Sequence, residues 1–291
     1  MFWFMTNRTR TTTTVSALAV LLAAGLTGCA SAPDSFAQAR ASSDSPGQAG
    51  VSGIDAYDAS AHEDRQVSAR DPNAAELFGD DVIIGTLYDD RGVPRYQASV
   101  ADLTPDEIAE ELRAMKELDE KLVRESTDFH TPTQAELARV EEIDRAHARR
   151  LSEIVTEFGW PTREFVGADA SQGAFVVIQH AGHDTAFQNE CLALMVDQVE
   201  QGELPAAYVA LLTDRIRLFA SQPQVFGTQM TFAESSDGFT RCIPATPIED
   251  PANLDARRGL MGLPPHDVFV AKLEEAFQSQ HGGAFATVIT D

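Results

Sequence analysis

Imidazole and carboxylate groups exchange protons and bind metals near neutral pH, and several in this sequence fall where an apolar stripe should continue. Asp144 and His147 share a helical seam with Val140, Leu151, Ile154 and Phe158. Gln179-His180 closes the apolar run Ala174-Phe175-Val176-Val177-Ile178. Buried polar groups must find partners, so these residues are expected to meet one another or a ligand. A partly buried imidazole beside a carboxylate titrates near neutrality, which makes His180 the candidate acid/base, oriented by Asp144 or Asp214. Gln179, Arg215, Gln224, Thr228 and Gln229 are the candidate substrate-holding groups, since amides and hydroxyls beside aromatics suit sugars or peptides better than phosphate.

His180, His183 and Asp184 are also residue types that ligate zinc or iron. Gly182 interrupts the helix between the two histidines, however, and only Asp144 or His147 could complete such a set in space. The expectation is therefore no metal, and no cofactor is specified. There is no G-x-S-x-G, P-loop, G-x-G-x-x-G or H-E-x-x-H. Cys191 sits on an apolar helical face; Cys191 and Cys242 read equally well as core thiols or as an oxidised pair.

The elements that must position these groups are mostly helical. Thr104-Pro105-Asp106-Glu107 is a capping box with proline at the first helical position, followed by Ile108, Leu112, Met115, Leu118 and Leu122. Thr131-Pro132-Thr133-Gln134 offers a second helix start, and Gly159-Trp160-Pro161 stops that helix. A third runs from about Ala168 to His180, Asp184 caps a fourth, and Pro205 opens a fifth. The period then shifts, and Gln224–Phe232 with Phe239–Ile243 reads as a β-hairpin around Ser235-Ser236-Asp237-Gly238. Pro251–Arg258 and Pro265–Phe277 read as closing helices. Upstream, residues 82–88 are β-like and Asp89-Asp90-Arg91-Gly92 is a turn cluster, consistent with a short strand or hairpin. The expected fold is mainly α: a single helical domain over 76–291 with one β-hairpin in its C-terminal third.

What precedes the domain reads as an address. Arg8 and Arg10 give a positive segment without acids, Val15–Leu26 is a 12-residue apolar run, and Leu26-Thr27-Gly28-Cys29 resembles a lipobox. Such a run is short for a membrane span, so residues 1–28 read as a lipoprotein signal peptide and Cys29 as the lipidation site. Ala30 after the cysteine, where an inner-membrane retention signal would place Asp, favours the outer membrane, with the domain on its periplasmic side. Residues 29–75 are poor in large apolar groups and read as a flexible linker. Formal charge is −23 over 291 residues, which argues against a nucleic-acid partner, because such binding depends on clustered Lys and Arg.

Six motifs occur in order: Gly159-Trp160-Pro161, Gln179-His180, Leu212-Thr213-Asp214-Arg215, Gln224 to Gln229, Pro247-Ile248-Glu249-Asp250-Pro251 and Gly262-Leu263-Pro264-Pro265. Together they resemble a bacterial family of unknown function, over about Leu118 to Phe269. Phe226 stands where that family usually carries Tyr. The resemblance implies a shared polar cleft and supplies no reaction. Two readings follow: a lipid-anchored periplasmic hydrolase of a polar sugar or peptide, and a non-catalytic lipoprotein that binds an envelope component or ligand with the same surface. They differ in whether Gln179, His180, Asp214, Arg215, Gln224 and Gln229 converge on one open pocket or pair off in a closed network.

Overall fold

Helix-start chemistry sets the architecture. In the computed structural model, Thr104 Oγ1 accepts from the Glu107 N–H at 3.3 Å while the Glu107 carboxylate accepts from the Thr104 N–H at 2.8 Å. Helix α1 (Pro105–Thr127) follows. Thr133 and Glu136 form the same reciprocal cap on α2 (Gln134–Phe158), and Gly159 ends it in a left-handed conformation with φ 77°. The structure describes residues 86–127, 133–234 and 240–281; the signal segment, Cys29 and the linker of residues 29–75 lie outside them.

A short α3 (Arg163–Val166) leads into α4 (Ala168–His180), whose bounds match the sequence expectation. Asp184 caps α5 (Thr185–Glu200) by accepting from the Phe187 N–H at 3.0 Å, and α6 (Ala206–Phe219) begins after Pro205. Two small antiparallel sheets flank the helices: β1 (Thr86–Tyr88) with β2 (Pro94–Tyr96), and β3 (Met230–Glu234) with β4 (Thr240–Pro244). Helices α7 (Leu254–Leu260) and α8 (His266–His281) complete the eight α-helices among the described residues, none of them long and apolar enough to cross a membrane.

Most apolar burial lies in one core to which α1, α2, α4, α5 and α6 all contribute. A smaller cluster of Met230, Phe232, Cys242, Phe269 and Leu273 joins the second hairpin to α8. Cys191 belongs to the first and Cys242 to the second, and both are buried free thiols. Phe158, expected on the inner seam of α2, is 40% exposed and packs its ring against Phe165.

Two features bring α1, α2 and α4 together. At Gly173 a Cβ would stand 2.3 Å from the Leu112 carbonyl oxygen, so only glycine lets α4 approach the backbone of α1 this closely. Asp119 lies two turns beyond Leu112, and His180 two turns beyond Gly173. The second feature is a buried ion pair. Arg150 of α2 donates to both carboxylate oxygens of Glu111 on α1, at 2.7 and 2.9 Å, and to the Ala98 carbonyl at 3.0 Å. Its guanidinium lies over the Tyr96 ring, so one side chain ties both helices to the first hairpin.

The segment Gln224–Gln229 departs from expectation. It is not a strand; β3 begins only at Met230. The amides of Val225, Phe226 and Thr228 all point at the Asp214 carboxylate, at 2.7 to 3.2 Å. Successive amides in a strand point to opposite sides, so amides that share one acceptor must curl, and Gly227 at φ 59° permits the bend.

Candidate functional site

The polar residues singled out by sequence sort into two constellations. The first surrounds Asp214. Besides the three backbone amides, the Thr228 hydroxyl donates to the same carboxylate at 2.9 Å. The Gln224 side chain closes the loop, its Oε1 accepting from the Gln229 N–H at 2.7 Å and its Nε2 donating to the Gln229 carbonyl at 2.8 Å. Gln229 Nε2 donates to the Thr228 hydroxyl at 3.2 Å. The carbonyls on the outer side are held by arginines: Arg257 donates to the Val225 carbonyl at 2.8 Å, and the buried Arg258 to those of Phe226 at 2.6 Å and Pro264 at 2.7 Å. The Gln224 backbone also bridges Pro247 and Glu249 at 2.8 Å each. Four of the six motifs thus meet in one hydrogen-bonded scaffold. Asp214, Gln224, Thr228 and Gln229, expected to orient a base or hold substrate, have their polar groups engaged with one another and with the loop.

The second constellation lies where α1, α2, α4 and α6 contribute buried polar groups. Its centre is a contact that sequence reasoning did not foresee: His180 Nδ1 lies 2.5 Å from Asp119 Oδ1, with only 6% and 10% of the two side chains exposed. Asp144, expected from its seam position, offers a carboxylate oxygen within 4.8 Å of donor atoms on both Asp119 and His180. His147, one turn from Asp144, is buried as well. Arg215 is only 4% exposed and lies close enough for its charge to act on His180. Asp214 and Arg215 are adjacent on α6 and point about 100° apart, so the first anchors the loop while the second turns toward the cluster.

Environment separates the protonation states of these groups. Burial pushes the Asp144 carboxyl up to about 8, reinforced by the neighbouring Asp119 charge, so it is a neutral acid at pH 7. Burial works in the same direction on Asp119, but the imidazole beside it prevails and holds Asp119 below the usual carboxylate range. Burial also lowers His180, against the pull of Asp119, and brings His147 down to about 4. The site therefore holds a neutral imidazole base on an ionised carboxylate, with a protonated carboxyl alongside.

Several polar atoms here have no partner among the described residues: Asp119 Oδ2, Asp144 Oδ2, both amide atoms of Gln179, and Nε and Nη2 of Arg215. Asp119, Asp144 and His180 are also the groups whose spacing could hold a divalent cation. His183 and Asp184 are exposed, and the Asp184 carboxylate caps α5, so the adjacent trio considered from sequence forms no such cluster.

A family model described as a family of unknown function, DUF6624, matches residues 105–281. The chain belongs to this family. No curated protein and no solved structure matches the chain significantly. The DUF6624 region contains both constellations, together with the Gly173 crossing and the Arg150 ion pair.

Proposed function

We propose that this member of the family is a lipid-anchored periplasmic hydrolase whose centre is the Asp119–His180 pair. The observation that carries the reading is the presence, within 4.8 Å, of an imidazole fixed by a carboxylate and a second carboxyl of opposite protonation state. Pairs of titratable groups driven apart by their surroundings mark acid/base assignments. Asp119 accepts from Nδ1 and so makes Nε2 the proton-exchanging nitrogen of His180. His180 takes a proton from water as the oxygen attacks the substrate carbon. Asp144 gives its proton to the departing oxygen or nitrogen, and the bond to that atom breaks. Gln179 and Arg215, whose buried donors lack partners among the described residues, hold the polar substrate.

The test is turnover of chromogenic ester, amide and glycoside panels by the purified mature protein. His180→Ala and Asp119→Asn are each expected to lower turnover by about 10²–10⁴-fold, the range of a lost general base, with the fold retained. Activity should survive chelation. Loss of turnover on chelation would instead indicate a metal-bound water on Asp119, Asp144 and His180. A second reading, a non-catalytic ligand-binding lipoprotein, is favoured by the closed network around Asp214, and absence of turnover across all three classes would support it.

The cellular address is proposed from the lipobox-like Leu26-Thr27-Gly28-Cys29. Acyl chains contribute about 0.8 kcal/mol per buried CH₂, so more than one chain on Cys29 would give stable anchoring to the outer membrane. Cys29→Ser is expected to abolish labelling by a palmitate analogue and to move the protein from the membrane to the soluble periplasmic fraction. Unchanged fractionation would overturn this part of the proposal.

A further inference from the structure

A guanidinium buried without a counter-ion is among the costliest arrangements a protein core can hold. The three deeply buried arginines among the described residues can be compared directly. Arg150 has the Glu111 carboxylate, and Arg258 has the carbonyls of Pro264, Phe226 and Gly227. Arg215, 4% exposed, has neither: its Nε and Nη2 find no acceptor among the described residues. Burial alone brings it down to about 10, leaving it cationic at neutral pH. On α4, which packs against α6, Gln179 is 2% exposed, and both of its amide atoms lack partners among the described residues.

We infer that Arg215 is the binding site for a carboxylate group of the ligand, with the Gln179 amide as a second donor. The fork of Nε and Nη2 matches the two oxygens of a carboxylate, which would supply the acceptors the core withholds. Asp119 is hydrogen-bonded to His180 and Asp144 is protonated, and neither accepts from Nε or Nη2 of Arg215. A carboxylate would place one negative charge against the guanidinium, whereas a phosphate dianion would place two near the ionised Asp119. The inference rests on the hydrolase reading for the role of the bound group, and narrows the substrate to molecules bearing a carboxylate near the bond that is cut.

The test separates binding from catalysis. Melting temperature is measured at constant ionic strength against chloride, with acetate, acetamide, inorganic phosphate, and the peptide N-acetyl-Ala-Ala as free acid and as C-terminal amide. Acetate and the free-acid peptide should each give a saturable rise of about 2–4 °C. Acetamide and the amidated peptide should give none. A larger shift with the free-acid peptide than with acetate identifies a peptide terminus as the source of the carboxylate; equal shifts identify a small carboxylic acid.

Arg215→Met should abolish the shifts while raising the melting temperature of the ligand-free protein, because it removes a buried charge that has no partner among the described residues. His180→Ala should lose turnover and keep the acetate shift, so a failed hydrolase assignment is distinguishable from a failed binding site. Shifts that persist in Arg215→Met, an equal response to acetamide or phosphate, or no response to either carboxylate would overturn the inference. So would a melting temperature lowered by Arg215→Met.

Discussion

Asp144→Asn is expected to stabilise the protein in a pH-dependent way, with no gain near pH 4 and its full effect at pH 8 and above. In the unfolded chain the Asp144 carboxyl releases its proton near the ordinary value of about 4. In the folded protein it keeps that proton to about 8. Between these values the folded state binds more protons than the unfolded state, so the contribution of Asp144 to stability falls as pH rises. A displacement of this size corresponds to an upper bound on the order of 5 kcal/mol. His147 works in the opposite direction: burial lowers it to about 4, so its contribution is lost as pH falls from about 6.5 toward 4. Urea unfolding of wild type and Asp144→Asn at pH 5, 7 and 9 isolates the Asp144 contribution. A difference that stays flat across this range would show that Asp144 ionises normally, and would remove it as the proton donor.

Arg150→Met is expected to cost about 3–5 kcal/mol, because it strands the Glu111 carboxylate in the core. Glu111 is 3% exposed, and both of its oxygens accept from Arg150. The double replacement Arg150→Met with Glu111→Leu should recover most of that loss, since an apolar pair of similar volume replaces the ion pair without leaving a charge behind. The comparison also bears on the site. Glu111 and Asp119 share α1, and Arg150, Asp144 and His147 share α2, so the ion pair helps set the spacing of the two aspartates. If the single variant loses less than about 1 kcal/mol, the pair is solvated in solution and cannot perform this role.

The helical frame was largely legible because helix ends carry local chemistry. The Thr104–Glu107 and Thr133–Glu136 capping boxes and the Asp184 cap need no tertiary information, and each element starts where its cap stands. Asp119 was missed although a signal existed. It continues the stripe Ile108, Leu112, Met115, Leu122 at helical spacing, the same argument that singled out Asp144 and His147, but its charged neighbours Glu117, Glu120 and Lys121 resemble a solvated face. Its burial depends on the approach permitted by Gly173, which no pattern within α1 reports. Glu111 and Arg150 escaped notice for a related reason, since isolated charges on amphipathic helices read as surface residues until their partner is known. The loop 224–229 was misread because its alternation of Gln224, Phe226 and Thr228 imitates a strand, while the carboxylate that bends it lies ten residues upstream.

The arrangement around Asp214 is a receptor for an anion whose guest is covalently attached to the host. Three main-chain amides and one hydroxyl converge on a carboxylate as they would on a bound oxyanion, and the arginines behind them fix the receptor's outer wall. A receptor already filled by its own chain has little freedom to reshape itself around another molecule. The stretch whose motifs are easiest to recognise is therefore poorly suited to altering ligand preference, and selection for a new specificity would have to act on the helix faces that present Gln179, His180 and Arg215.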